Sequence, residues 1–367
     1  MNLQVRESEK LKGEFIEQTQ EERNRGVLSG WLPIWVKNAY DNYAHIMQEA
    51  KSQHMCVSTL RKVNRGPAII IGSGPSLDET VPLIGDWKGA VFASGSNSLV
   101  CARWGHKPEY ICVFDGGDTM YQKFMGYDWE GSTLLCHPSI SPLILKNWIW
   151  KKRYYLMAHF GVQWFDEIMP IAYGDYLRFP GDAPPCITVG VANAGCTVNN
   201  EIQLANYLGY GPLFLIGVDF GYPEGKERFT RWILEKGEWK KVGPEKYRDR
   251  KLHKSDNGIL TTEEQIEYKN ALLAVYRQDK PQLFDCSNGI ITELPKLDFK
   301  EVVETNGKGF EGQYRTSDEI DRVCINYANR KKELQDKFFA DRKSSGSNDK
   351  AKCAIPVNTT EGNQGKS

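Results

Sequence analysis

The sequence predicts an α/β fold, a doubly wound and mostly parallel sheet with helical flanks at its N- and C-terminal ends. Three observations carry this. Short apolar runs recur without polar alternation at 68–71, 90–93, 110–114, 133–136, 154–158 and 213–218. Strands look like this when helices cover both faces of their sheet. Helical patterns lie between several runs, notably at 98–104 and 197–208. Glycine and polar residues gather directly after the runs, at the strand ends where such sheets bind ligands.

Taken in order, residues 1–63 read as a helical N-terminal region. Leu32, Trp35, Val36, Ala39, Tyr40, Tyr43 and Met47 recur there at helical spacing, the pattern of a packing face. Residues 64–305 form the sheet domain. A charged insertion at 222–262 interrupts it, with eleven Lys or Arg against five Asp or Glu between 226 and 254. A long polar insertion after a strand end is expected to act as a mobile lid. A helix resumes at 262–277 with Thr262 as its cap, and 283–286 reads as a last strand before Ser287-Asn288-Gly289. Residues 306–343 hold a C-terminal helix, centred on 317–342, and 344–367 a disordered tail.

Composition excludes several classes. The 47 Lys and Arg balance 47 Asp and Glu, so the chain lacks the positive excess needed to coat nucleic acid or an anionic membrane. With 40% hydrophobic residues and ten Trp it is too apolar to be disordered throughout. Its nine cysteines include no C-x-x-C pair, which argues against a zinc knuckle or a thioredoxin-type site. Residues 1–25 are densely charged, unlike a signal peptide. The most apolar stretch, 134–150, is broken by His137, Pro138, Pro142 and Lys146, so no membrane span is expected. The expected location is cytoplasmic.

Gly72-Ser73-Gly74-Pro75-Ser76-Leu77 follows a strand and precedes a helix. Glycines at such a turn let a backbone approach a phosphate, and a helix N-terminus offers free N–H groups. Pro75 suits the first turn, and Ser76 adds a hydroxyl. The alternative is a tight turn without a ligand. A dinucleotide fingerprint is not met, because Leu77 replaces the third glycine and no acid follows 90–93. No Gly-Lys-Ser/Thr follows, which excludes a P-loop.

Asp115 and Asp118 leave the third strand separated by two glycines. Such a pair suits Mg²⁺ beside a phosphate loop, or else caps a turn. Asp219, ending 213–218, either joins them or caps the next segment. Asn193, Gly195 and Thr197 open a helix with an amide, a glycine and a hydroxyl, suited to a base, sugar or phosphate or to plain capping. His137 and His159 follow strands and are either general acid–base groups or structural.

These motifs, with Asn97 after the second run, resemble those of the MptE-like domain family. That family takes in archaeal 6-hydroxymethylpterin diphosphokinases and the Maf flagellin glycosyltransferases. The resemblance lies in residues 67–78, in 105–115, in Asn193-Ala194-Gly195-Cys196-Thr197, in 215–220 and in Asp285-Cys286-Ser287-Asn288-Gly289. It implies a Rossmann-like nucleotide fold, with Gly72, Gly74, Ser76 and Asn97 lining a nucleotide. Asp115, Asp118 and Asp219 would serve metal or sugar. On the residues' own chemistry, a His or Asp base would activate an acceptor hydroxyl, with Asp115, His137 and Asp219 as the catalytic candidates and Asp115 and Asp118 as the metal candidates. The diphosphokinase pattern Asp-Leu-Asp-Gly is here Asp115-Gly116-Gly117-Asp118, with a different carboxylate spacing. The resemblance implies a transferase, foremost a glycosyltransferase using a nucleotide-activated sugar such as a CMP-nonulosonate. The alternatives are an ATP- and Mg²⁺-dependent pyrophosphokinase and a non-catalytic nucleotide-binding module.

Overall fold

The computed structural model describes residues 20–50, 55–150, 152–156, 158–159, 169, 173, 191–192, 196–223, 229–242, 252–255, 258–279 and 281–310. The chain divides into two units, Met1–Asp321 and Arg322–Ser367, and every described residue lies in the first. The expected C-terminal helix and tail fall outside the described residues.

The apolar runs become strands β1 (Gly66–Ile71), β2 (Ala90–Ser94), β3 (Tyr110–Val113), β4 (Thr133–Cys136) and β5 (Arg153–Tyr155). The short β6 (Ala158–His159) and β7 (Val191–Ala192) pair with each other. Further along come β8 (Tyr210–Ile216) and β13 (Leu283–Asp285). The main sheet has the order β13-β8-β1-β2-β3-β4-β5, and every pairing in it is parallel. This is a Rossmann-like α/β sheet. Helices α2 (Leu77–Thr80), α3 (Gly95–Arg103), α4 (Asp118–Phe124), α5 (Pro142–Asn147) and α6 (Thr197–Leu208) connect its strands.

Both faces of the central strands are buried, which is why their sequence does not alternate. Ile69 and Ile71 of β1 pack with Val91, Ala93 and Val100 on one side. Ala68 and Ile70 pack with Phe92, Cys112 and Leu204 on the other. Burying each large side chain of this kind contributes about 1.5–3 kcal/mol.

Helix α1 (Gln20–Ala50) shares that second core through Trp35, Ala39, Ile46 and Met47. The expected stripe is corrected in part. Val36 is 37%, Tyr43 40% and Tyr40 83% exposed, so these three are not part of the buried face. Two asparagines take the inward positions instead. Asn38 Nδ2 donates to the carbonyls of Gly116 (2.8 Å) and Ser139 (3.1 Å). Asn42 Nδ2 donates to those of Pro138 (2.9 Å) and Ile140 (2.8 Å). Spaced one turn apart, the amides satisfy carbonyls in the loops after β3 and β4, which no strand partner reaches. Asn42→Ala leaves two of those carbonyls without this donor, and a loss of about 1–3 kcal/mol is expected in urea unfolding. An unchanged midpoint would show that water replaces the amide at no cost.

The charged insertion contains two antiparallel hairpins, β9 (Trp232–Glu235) with β10 (Glu238–Lys241), and β11 (Leu252–Lys254) with β12 (Leu260–Thr262). Lys236 (φ 52°) and Gly237 (φ 84°) form the two-residue turn of the first, both left-handed as a type I′ turn requires. Its underside is anchored. The Arg103 guanidinium lies 3.8 Å from the Trp232 ring centroid, Trp239 packs near Tyr127, and Lys241 pairs with Asp78 at 2.7 Å. Over 229–242 the expected lid is therefore a hairpin docked on α3, because two tryptophans give it an apolar base. Helix α7 (Glu263–Asp279) begins as expected at Thr262. Gln265 N donates to Thr262 Oγ1 and Thr262 N to Gln265 Oε1, a reciprocal capping box. Helix α8 (Phe299–Thr305) covers the Ile69 face. Among the described residues no helix is long and apolar enough to cross a membrane.

Candidate functional site

Because the main strands are parallel, the loops after β1, β2, β3, β4, β8 and β13 all emerge at one edge. The strand order reverses between β1 and β8, the switch point where such sheets open a crevice. Here the chain's own groups bridge that point. Gly72 N donates to Ile216 O (2.8 Å) and Gly74 N to Gly217 O (2.7 Å). Ser76 donates twice to Asp219, from its backbone N to Oδ2 (2.8 Å) and from its hydroxyl to Oδ1 (2.7 Å). Asn288 N adds a third bond to Oδ1 at 3.0 Å.

The glycines are explained by the same contacts. A Cβ on Gly74 would lie 2.7 Å from both Cβ and Cγ of Asp219. One on Gly72 would meet the Gly217 carbonyl, and one on Gly289 the Asp219 backbone. This corrects the expectation of free N–H groups in the loop: those of Gly72, Gly74 and Ser76, and the Ser76 hydroxyl, are engaged internally. The physical reason is Asp219. A carboxyl only 2% exposed must collect donors, and the glycine turn supplies them. Burial pushes its pKa up; the Ser76 and Asn288 donors pull it back, leaving it above the ordinary carboxylate value. Asp285 alongside is also raised by burial, offset by Lys296 at 2.6 Å. Pro75 sits in the turn before α2, and Ser73, partly exposed, accepts at its carbonyl from Thr230 N (2.8 Å).

Asn97 is likewise tied into the frame. Its Nδ2 donates to Ile71 O (3.0 Å) and its N to Ser94 Oγ (3.3 Å), joining the start of α3 to the end of β1. Asp115 Oδ1 accepts from Gly117 N (2.8 Å), the capped-turn alternative. Asp118 opens α4, and its Oδ1 accepts from Ser141 Oγ (2.6 Å). Asp118 is exposed and Asp115 partly so, which leaves carboxylate oxygens on the solvent side of the edge. That set fits Mg²⁺ held by one or two carboxylates plus substrate phosphates. Among the described residues no group of three His, Cys, Asp or Glu is placed to hold a metal by itself.

His137 is fully buried after β4. Its Nδ1 accepts from Ser139 N (3.1 Å) and lies 2.7 Å from Ser139 Oγ, so the network places the ring proton on Nε2. It is arranged to shape the loop that Asn38 and Asn42 hold. His159 lies on β6, and Asn193 and Gly195 fall outside the described residues. Thr197 begins α6, partly exposed at the same edge.

The family described as 6-hydroxymethylpterin diphosphokinase MptE-like matches residues 37–225, just over half of the chain. The chain belongs to the MptE-like family. The MptE-like region begins inside α1 and so contains Asn38 and Asn42 as well as the Gly72–Asp219 interlock. No curated protein matches the chain. Among solved structures it is similar to a Maf glycosyltransferase from Magnetospirillum magneticum AMB-1, at 16% identity and a TM-score of 0.47. That alignment takes in 76% of this chain and 41% of the glycosyltransferase.

Sequence reasoning missed Asn38 and Asn42 because amides on a helix read as solvent-facing. It also missed Glu201 on α6, which is 0% exposed. A signal for Glu201 was available, since it falls on the inward stripe with Leu204, Ala205 and Leu208.

Proposed function

We propose that the protein is a nucleotide-dependent transferase whose donor lies along the C-terminal edge between the starts of α3 and α6. The observation that carries this is the MptE-like match, which spans every loop of that edge from β1 to β8. Ser73 and Ser96, both partly exposed, are hydroxyls suited to the phosphates. The N-terminal ends of α3 and α6 favour negative charge on a departing phosphate.

The finer reading is glycosyl transfer from a nucleotide-activated sugar, a CMP-nonulosonate being one such donor. The acceptor oxygen attacks the sugar carbon, the bond to the nucleotide phosphate breaks, and the acceptor proton passes to a carboxylate. Asp115 suits that role because it is partly exposed, whereas His137 and Asp219 are sealed. A second reading is favoured by the family's own description: diphosphoryl transfer from ATP, with Asp115 and Asp118 holding Mg²⁺ against the phosphates.

A thermal-shift series with CMP, CTP, UDP, GDP, AMP and ATP, each with Mg²⁺ or EDTA, tests both. A ligand at a hundred times its Kd adds about 2.7 kcal/mol. A CMP or CTP shift that survives EDTA supports glycosyl transfer. An ATP shift lost in EDTA supports diphosphoryl transfer, and no shift with any nucleotide sinks the proposal.

A further inference from the structure

Helix α1 lays one face over the loops after β3 and β4. Trp31, Trp35, Asn38 and Asn42 follow one another at helical spacing along it. Trp35, Asn38 and Asn42 are buried and belong to the frame. Trp31 goes further. It stacks on Trp35, with ring centroids 6.4 Å apart and planes at 19°, yet stays partly exposed. The aromatic stack is thereby carried from the core out to the rim of the sheet edge.

Asp115 lies at that rim. A Cβ on Gly117 would sit 3.1 Å from Trp31 Cη2, 3.3 Å from Trp31 Cζ3 and 3.3 Å from Asp115 Oδ1. The outer edge of the indole and the carboxylate are therefore side by side, over a residue without a side chain. Gly117 has φ −72°, a value any residue adopts, so it is the space that calls for glycine. Trp31, Asp115 and Gly117 are each partly exposed, and Asp118 and Thr119 are exposed, so this place opens to solvent. Gly117 N gives Asp115 Oδ1 one hydrogen bond at 2.8 Å, and an ionised carboxylate accepts about four.

A flat aromatic ring beside a carboxylate suits a sugar, whose ring has an apolar C–H face and hydroxyls around its rim. We propose that Trp31 is the platform on which a pyranose acceptor stacks, with one ring hydroxyl held by Asp115. The inference rests on the glycosyl-transfer reading above and names its acceptor class. The acceptor oxygen bonds to the donor sugar carbon as the bond to the nucleotide phosphate breaks, and the hydroxyl proton ends on Asp115. Residue 31 lies outside the matched segment 37–225. Acceptor choice is then carried by the helical flank, and donor binding by the shared domain.

The test is saturation-transfer NMR on the full chain with the methyl glycosides of glucose, galactose, mannose and N-acetylglucosamine, run beside the nucleotide thermal-shift series. At least one glycoside is expected to bind, with transfer strongest to the C–H protons of one ring face. Trp31→Leu, apolar but without a flat face, is expected to weaken it about tenfold, and Trp31→Phe only about threefold. Should Trp31→Leu loosen α1, Gly117→Ala sets a methyl between indole and carboxylate and is expected to weaken the glycoside similarly. Nucleotide shifts in Trp31→Leu are expected to match those of the wild type. Failure of all four glycosides to bind overturns the inference, as does undiminished binding in Trp31→Leu or Gly117→Ala. So does a Trp31→Leu variant that loses the nucleotide instead, which would put the donor base on the indole. Each of these leaves the nucleotide reading in place. A wild type that shifts with no nucleotide removes that reading and, with it, the acceptor role of Trp31.

Discussion

Replacing Glu201 with glutamine should make the protein more stable at neutral and alkaline pH, by a margin that widens as pH rises. The folded-state pKa of Glu201 is raised by burial, so the native protein holds the carboxyl proton that the unfolded chain releases. Stability from this group is therefore fully present below the unfolded carboxylate pKa and is lost as pH climbs toward the folded one. Over that window the loss runs at about 1.4 kcal/mol per pH unit. The glutamine side chain does not titrate, so the difference between the two proteins isolates this one group from Asp219 and Asp285, which are raised as well. Urea unfolding from about pH 4.5 to 8.5 reads it directly. Curves that stay parallel across the range would mean that the carboxyl is solvated or paired.

Gly72→Ala is expected to cost about 3 kcal/mol or more, enough to threaten folding. Its added methyl would fall on the Gly217 carbonyl, 2.7 Å from Gly217 C and 3.0 Å from Val218 Cα. All of these are backbone atoms directly after β8, so no side-chain rotation relieves the clash. Gly217 is itself held at φ 63° against Leu77 and Gly72, which bars the neighbouring loop from yielding. Gly30→Ala is the reference variant. Nothing lies within 4 Å of that position on α1, and Ala there should gain about 0.5–1 kcal/mol. If position 72 is glycine only so that a phosphate can approach, Gly72→Ala will retain stability and lose nucleotide binding. If it is glycine for the interlock, melting temperature falls with or without ligand.

What could be read in advance follows the range of the interactions. Strands buried on both faces announce themselves locally, and 133–136 and helix Thr197–Leu208 fall where their patterns place them. The Thr262 cap is equally local, a matter of three residues. The glycine turn shows the boundary. Its conformational demand is visible in Gly72-Ser73-Gly74-Pro75, but the partner is Asp219, 143 positions beyond Ser76. Without that contact a phosphate was the natural occupant. Hairpin β9–β10 was obscured by its charge, although Lys236-Gly237 between tryptophan-bearing runs is a turn signal. Asn38, Asn42 and His137 show the converse: polar residues serving the frame of the site, which composition alone cannot tell from solvated ones.

The strand order also bears on how the chain is made. β1 sits next to β8 in the finished sheet, with Ile69 opposite Phe214 and Ile71 opposite Ile216. β2 can cover one flank of β1 soon after it leaves the ribosome. The other flank waits for about 140 further residues, roughly 7–30 s of translation. Throughout that interval an isoleucine-rich edge has its N–H and C=O groups unpaired, the arrangement most open to pairing with another chain. Sheet closure is thus a late, long-range event, slow by topology, and the nascent protein is a natural client for a holdase until residue 216 emerges.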